Sequence, residues 1–237
     1  MKRSFLFLAL SALILISCKK NTPTPTPTTK TSSQTGTYCV LKCEKIYTYN
    51  SLNHTVSFAG NRATSYFTDN PNFSNFVPVT SVYVDSVKLK YDNLSGPLYY
   101  DTTYTLVFNP AITWRVVGLN TIPSFTITDT DSIPSYTGYA SLPDTIYRNQ
   151  NLTISLTGVS NNSDAGIELM QGSNMINQPN LSGGNCTITV PTGSLTPFSA
   201  GYATMNVVCN KYLNQTISGK GTLFIKNNTV QKSVYLK

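Results

Sequence analysis

The 237-residue chain has little of the equipment that most enzymes use. It carries one histidine, His54, and two glutamates, Glu44 and Glu168. His54 stands in the polar, turn-like stretch Ser51-Leu52-Asn53-His54-Thr55. No Gly-x-Ser-x-Gly elbow exists to supply it with a nucleophile, so a Ser-His-Asp triad has no framework. The two glutamates lie in different halves of the chain, which argues against the paired carboxylates of a glycosidase. Gly-rich phosphate loops and dinucleotide fingerprints are missing. Asp129 and Asp131 have the alternate spacing of a calcium loop, but the loop's glycine and distal glutamate are absent. The sequence thus predicts no enzyme, no metal and no cofactor.

Charge is also scarce, at 11% of residues. The formal +7 points toward nucleic acid until its location is considered. Of the 17 basic residues, Lys2, Arg3, Lys19, Lys20 and Lys30 all precede residue 38, leaving 12 against 10 acidic ones. A body so close to neutral lacks the electrostatic footprint of a nucleic-acid binder. After Glu168 there is no acid, while Lys211, Lys220, Lys226, Lys232 and Lys237 remain. These read as a solvated lysine face that protects strand edges.

What is present begins at the N-terminus. Met1-Lys2-Arg3 is followed by an apolar run from Phe5 to Ile16, the layout of a secretory signal and too short for a stable transmembrane helix. Leu15-Ile16-Ser17-Cys18 resembles the lipobox of bacterial lipoproteins. That resemblance implies a leader over 1–17, cleavage before Cys18, and lipid on the Cys18 thiol and the new amine. One acyl chain holds weakly, so stable anchoring takes more than one. Residues 18–37 then form a stalk. Its Pro-Thr alternation favours extended polyproline geometry, a spacer reaching up to ~50 Å. Lys19, Lys20 and Lys30 would sit beside the head groups.

The rest reads as all-β. Short runs rich in Val, Ile, Thr, Tyr and Phe recur between Gly-, Pro- and Asn-rich turns, and no convincing amphipathic helix appears. Strands are expected over 38–49, 54–59, 63–68, 80–90, 103–108, 112–118 and 124–128. A second set covers 144–147, 151–157, 166–170, 186–190, 201–210, 219–226 and 229–236. Leu152, Ile154 and Leu156 alternate with Thr153, Ser155 and Thr157, the pattern of a half-buried strand. Lys226-Asn227-Asn228-Thr229 reads as a hairpin turn. The turn-rich stretch 129–143 divides the two sets, so two β-sandwich domains are expected, 38–135 and 136–237. The second resembles immunoglobulin-like domains over about 145–237. The loop from Pro191 to Gly201 looks like the corner before their penultimate strand, although the tryptophan between the cysteines and the tyrosine corner are missing.

Four cysteines follow Cys18. Cys186 and Cys209 read as strands of one domain and are expected to form a disulfide. Cys39 and Cys43 in one strand would be ~13 Å apart, too far to bridge. They pair only if the segment turns or is helical; otherwise they are free buried thiols. No second cysteine pair or nearby histidine supports zinc.

The Ser17-Cys18-Lys19-Lys20 start, the Thr/Pro stalk and the Tyr/Asn-rich β body resemble small lipoproteins of unknown function from Bacteroidota. That resemblance implies an outer-membrane anchor, with the periplasmic and cell-surface faces both open. It also implies O-glycans at Asp-Ser/Thr sites. Asp85-Ser86-Val87, Asp101-Thr102-Thr103, Asp131-Ser132-Ile133 and Asp144-Thr145-Ile146 fit, giving Ser86, Thr102, Ser132 and Thr145 as acceptors. The same dipeptides also mark turns and strand starts.

Tyrosine is abundant, with 15 residues beside one tryptophan, Trp114. Trp114 reads as a strand core residue. Tyr99, Tyr100, Tyr136 and Tyr139 lie in turn-rich segments and are the candidates for an exposed platform that would bury apolar sugar faces. The expected function is a non-catalytic, membrane-anchored envelope protein presenting β-sandwiches for structural or adhesive contacts with an envelope protein. The alternative is a glycan-binding surface lipoprotein.

Overall fold

The computed structural model describes residues 37–71, 75–93, 96–101, 103, 106–109, 111–161, 163–180 and 183–237. Cys18, the leader, all but the last residue of the stalk, and Thr102 lie outside these. The first half contains β1 (Thr37–Asn50), β2 (Thr55–Phe67), β3 (Ser81–Val84), β4 (Val87–Lys88), β5 (Lys90–Asp92), β6 (Leu98–Tyr100), β7 (Ile112–Val117) and β8 (Phe125–Asp129). The second contains β9 (Thr145–Ile146), β10 (Leu152–Leu156), β11 (Asp164–Gln171), β12 (Asn174–Asn180), β13 (Cys186–Val190), β14 (Gly201–Ile217) and β15 (Lys220–Leu236). One helical turn, Thr192–Leu195, and one 3-10 turn, Gly138–Ser141, interrupt the described strands. The chain is an all-β fold of stacked sheets, as its composition predicts.

One large sheet organises it. Its order is β12-β11-β14-β15-β1-β2-β6-β5, with β9 joining β15 from the side. β1 lies parallel to β15 and antiparallel to β2. Side chains alternate between the faces of a strand. The partners Leu41 and Phe224 therefore share a face with Tyr47 and Val230, six residues further along both strands. On that inner face lie two apolar cores. One gathers Tyr49 with residues from Tyr136 to Leu236, including Ile154, Ile188 and Met205. The other gathers Cys39, Leu41, Phe67, Val82, Trp114 and Phe224. The pair β10-β13 covers the first, and the sheet β4-β3-β7-β8 covers the second. Both cores thus rest on strands they share.

Between the cores the inner face of β15 turns polar, and residues 129–144 cross it as a strap. Lys226 Nζ lies 2.9 Å from Asp129 Oδ1 and donates to the carbonyls of Asp129 and Asp131. Asn228 Nδ2 donates to the Pro134 carbonyl at 3.0 Å. Lys232 Nζ donates to the Leu142 carbonyl and lies 2.9 Å from Asp144 Oδ1. Period two puts all three side chains on one face, and all are buried. Each supplies donors to strap carbonyls that would otherwise be buried unpaired.

Several expectations need correction. Lys226 to Thr229 form no turn; they lie in mid-strand. Asn227 Nδ2 bonds Asn210 Oδ1 at 3.0 Å, and Thr229 Oγ1 bonds Glu44 Oε1 at 2.8 Å. Turn-forming side chains stay in a strand here because cross-strand partners satisfy them. The hairpin instead closes at Ser218-Gly219, where φ is 50° and 78°. Lys226 and Lys232 are not a solvated face, being 4% and 2% exposed. The 54–59 and 63–68 segments are one strand, β2, with a register shift opposite Ile46 and Tyr47. Strand 80–90 breaks at Asp85-Ser86, a two-residue turn. Thr103 and 106–108 lie outside any strand, and β12 had no sequence signal.

Candidate binding surfaces

The outer face of the large sheet carries Tyr202, the most exposed aromatic among the described residues. Tyr202 and Tyr235 are register partners on β14 and β15, and their neighbours Ala203, Val234 and Leu236 point into the core. Alternation therefore forces both rings outward. Tyr202 is 77% exposed and Tyr235 39%. Their centroids are 5.3 Å apart with planes at 82°, so they form a corner and not a flat row. Thr145 pairs with Tyr235; Tyr147, two residues on and also exposed, lies on the same face. Lys237 Nζ sits 5.8 Å from the Tyr147 ring centroid. This surface lies outside the predicted platform, although the alternation in Gly201-Tyr202-Ala203-Thr204-Met205 carried the signal.

Further along the same face Glu44 is 5% exposed. Arg62 donates to it through Nε at 2.9 Å and through Nη2, and Lys42 Nζ is 3.8 Å away. Burial pushes the carboxyl up, but Lys42, Arg62 and the Thr229 hydroxyl outweigh it and hold it below the usual glutamate value. Glu168 shares this face, accepting from Asn206 at 3.1 Å. Three strand spacings and four residues of register separate the two glutamates, about 20 Å. A glycosidase pair needs about 5–9.5 Å.

A cleft of about 410 Å³ opens where β5 and β6 meet the β3-β4 hairpin, lined by Lys88, Lys90, Tyr91, Tyr99, Asp101 and Thr103 among others. Tyr99 and Tyr91 stack obliquely, centroids 5.1 Å apart. Asp101 is 4% exposed. Its Oδ1 accepts from the Thr103 backbone and hydroxyl, at 3.0 and 2.7 Å. Its Oδ2 is buried without a hydrogen-bond partner among the described residues.

The four predicted tyrosines do not share a face. Tyr99 is a core residue, 2% exposed, and its hydroxyl donates to the Val79 carbonyl and accepts from the Val79 N–H at 2.8 Å. Tyr100 is its half-buried neighbour on the opposite face. Tyr136 is buried in the other core, edge-on to the half-buried Tyr139. A ring that completes a core has no face left for a ligand. Of the acceptor candidates, Ser86 and Ser132 are exposed and Thr145 is half-buried in β9.

The four cysteines are free thiols, so the expected Cys186–Cys209 disulfide is not formed. Both pack on the first core, and burial pushes Cys209 up to about 12 with Cys186 nearby adding to the rise. Cys39 and Cys43 lie on the inner face of extended β1, and burial raises both thiols well above normal. His54, at the tip of the β1-β2 hairpin, accepts or donates at Nδ1 to the Tyr49 hydroxyl, 2.9 Å away. The Asp144 carboxyl is lowered by hydrogen bonds from Ser51 and Lys232. These groups latch the hairpin to the strap; Ser51 is committed to Asp144. The calcium-like spacing of Asp129 and Asp131 also has an occupant: their oxygens converge on the Lys226 ammonium.

No family model matches this chain, and no curated protein does. One solved structure, described as a "Ca2+-stabilized adhesin" that "helps an Antarctic bacterium reach out and bind ice", is similar over 85% of this chain. Identity is 10%, the TM-score is 0.24, and the match spans 48% of that structure's chain, about half its length. A likeness at that level carries no argument about fold family or ligand.

Proposed function

We propose that this chain is a non-catalytic, lipid-anchored envelope protein that presents its large sheet for adhesive contacts. The observation that carries the reading is the Tyr202–Tyr235 corner. Two neighbouring tyrosines are left outside on a face where the fold had polar alternatives, and tyrosines of this kind anchor interfaces. The tether is the lipid on Cys18, and the 18–37 stalk supplies the stand-off. The outer membrane is the proposed location.

Glycan capture is the second reading. It is favoured by the same corner, because a tyrosine ring matches the apolar face of a sugar and its hydroxyl the polar edge. The test displays the full chain on cells and scores attachment to protein-coated and polysaccharide-coated surfaces. Tyr202→Ser with Tyr235→Ser is expected to abolish attachment with stability changed by less than about 0.5 kcal/mol, as at other surface positions. Undiminished attachment by the double variant rejects the corner as the contact.

A further inference from the structure

The large sheet ends on β12, and no strand among the described residues pairs with its far side. Which backbone groups that leaves open follows from the β11-β12 hairpin. Gly172 and Ser173 form its turn, with Gln171 opposite Asn174 and Gly172 at φ 59°, the glycine-first arrangement of a type II′ turn. The closing pair of such a hairpin is hydrogen-bonded, and bonded and non-bonded pairs alternate from there. Asn174, Ile176, Gln178 and Asn180 therefore bond to β11. The N–H and C=O of Met175 and Asn177 point away from it, as does the C=O of Pro179. Proline has no N–H to leave open at that position, so its place agrees with the alternation.

Open edges are normally guarded by charge, a bulge or brevity. β12 has seven residues, none of them charged, and its register with β11 runs without a shift. The sheet's other edge, β5, has three residues, and Lys90 and Asp92 are two of them. The side chains along β12 are suited to contact. Met175 is 38% exposed and stands beside its register partner, the half-buried Met170, on the outer face. Ile176 is half-buried on the inner face, at the rim of the first core. A second copy of β12 fits this edge. Placed antiparallel about a two-fold axis at Ile176, Met175 faces the partner's Asn177, and Asn177 faces the partner's Met175. Each of these pairs exchanges hydrogen bonds through groups that are otherwise open. The two copies of Ile176 meet at the axis. On the outer face Glu168 and Asn177 continue into the partner's Met175 and Met170, so no charge meets its like.

We propose that the chain forms a two-fold dimer through β12, antiparallel about Ile176, which joins two large sheets into one. The axis runs through the sheet from face to face, so both outer faces stay on the same side. The two tyrosine corners then face the same way, and a repeating target is held by both at once. The pairing uses no residue of the corner and does not depend on what the corner binds.

The experiment introduces Met175→Cys, Ile176→Cys and Asn177→Cys one at a time into the full chain and oxidises each mildly in detergent solution, beside the unsubstituted chain. Ile176→Cys alone is expected to give a disulfide-linked dimer. Opposed residues of a non-hydrogen-bonded pair have Cα atoms about 4.5 Å apart, within disulfide reach. Met175 and the partner's Met175 are offset by two residues, about 8–9 Å, and so are the two copies of Asn177, too far to bridge. Sedimentation velocity gives the second reading. Asn177→Pro removes an outward N–H and leaves the β11 ladder intact, so it is expected to turn the dimer into a monomer whose circular dichroism is unchanged. A monomeric unsubstituted chain overturns the proposal. So do a missing cross-link at Ile176→Cys, equal cross-links at all three positions, or a dimer that survives Asn177→Pro. A dimer lost in the Tyr202→Ser, Tyr235→Ser variant but kept in Asn177→Pro overturns the edge and places the contact at the corner. Surface attachment that persists, weakened, in Asn177→Pro leaves the adhesive reading standing and assigns the loss to avidity.

Discussion

Three buried charged side chains show how context decides what a residue does. Lys226 has its ammonium among Asp129 and two carbonyls at 4% exposure. Replacing it with methionine leaves a buried carboxylate and those carbonyls unpaired. Lys226→Met is therefore expected to cost about 3–5 kcal/mol in urea unfolding, and adding Asp129→Asn should recover part of it. Lys232 donates in the same way to the Leu142 carbonyl, but its carboxylate partner, Asp144, is exposed. Glu44 titrates in the opposite sense. Its folded pKa lies below the ordinary value, so the native state holds the proton less tightly than the unfolded chain. The resulting stabilisation is complete above the unfolded glutamate pKa of about 4.3 and drains away as pH falls through the lower folded value. Denaturation curves at a series of acidic pH values should show this slope, and Glu44→Gln should flatten it.

At the scale of elements, β15 does the most. It pairs with β14 over its full length, with β1 along most of it, and with β9 at its end. Its entry turn is Ser218-Gly219, both residues with positive φ, a geometry that favours Gly at the second position. Nothing lies within 4 Å of a Cβ placed at Gly219, so the strain there is purely of backbone origin. Gly219→Ala should cost about 1–2 kcal/mol and Gly219→Asn less, measurable as a shift in thermal midpoint. Much at this scale was legible. Leu152, Ile154 and Leu156 alternate with exposed partners as their spacing predicts, and Trp114 is a core residue. The failures share a cause. Lys226-Asn227-Asn228-Thr229 has the composition of a turn, and only long-range partners such as Glu44, Asn210 and Pro134 reveal a strand. Tyr99 and Tyr136 sit near turns but face inward, whereas Tyr202 and Tyr235 sit in strands and face outward. Which face is the core is a tertiary fact that local pattern does not contain.

For the whole molecule, the shared sheet predicts one folding unit. The strand pair β1–β15 joins the start of the body to its end, and Phe224 of the last strand completes the core of the first half. Residues 38–135 expressed alone lose β15 beside β1, together with Phe224. They are expected to remain unfolded by circular dichroism and amide exchange, while the full chain shows a single calorimetric transition whose van't Hoff and calorimetric enthalpies agree. A folded 38–135 fragment would instead assign each half its own stability.

The parallel run of β1 and β15 has a mechanical consequence. On the proposed lipid tether the pull enters the body at Thr37, opposite Gly221, whereas the tyrosine corner lies at Tyr235, fourteen positions further along the partner strand, or about 46 Å at ordinary strand rise. A pull between a membrane tether and a contact at that corner acts along both strands in opposite directions. It loads their cross-strand bonds in shear, together, and does not peel them one at a time. A body gripped in this way resists extension along the line on which an anchored, adhering protein is stretched.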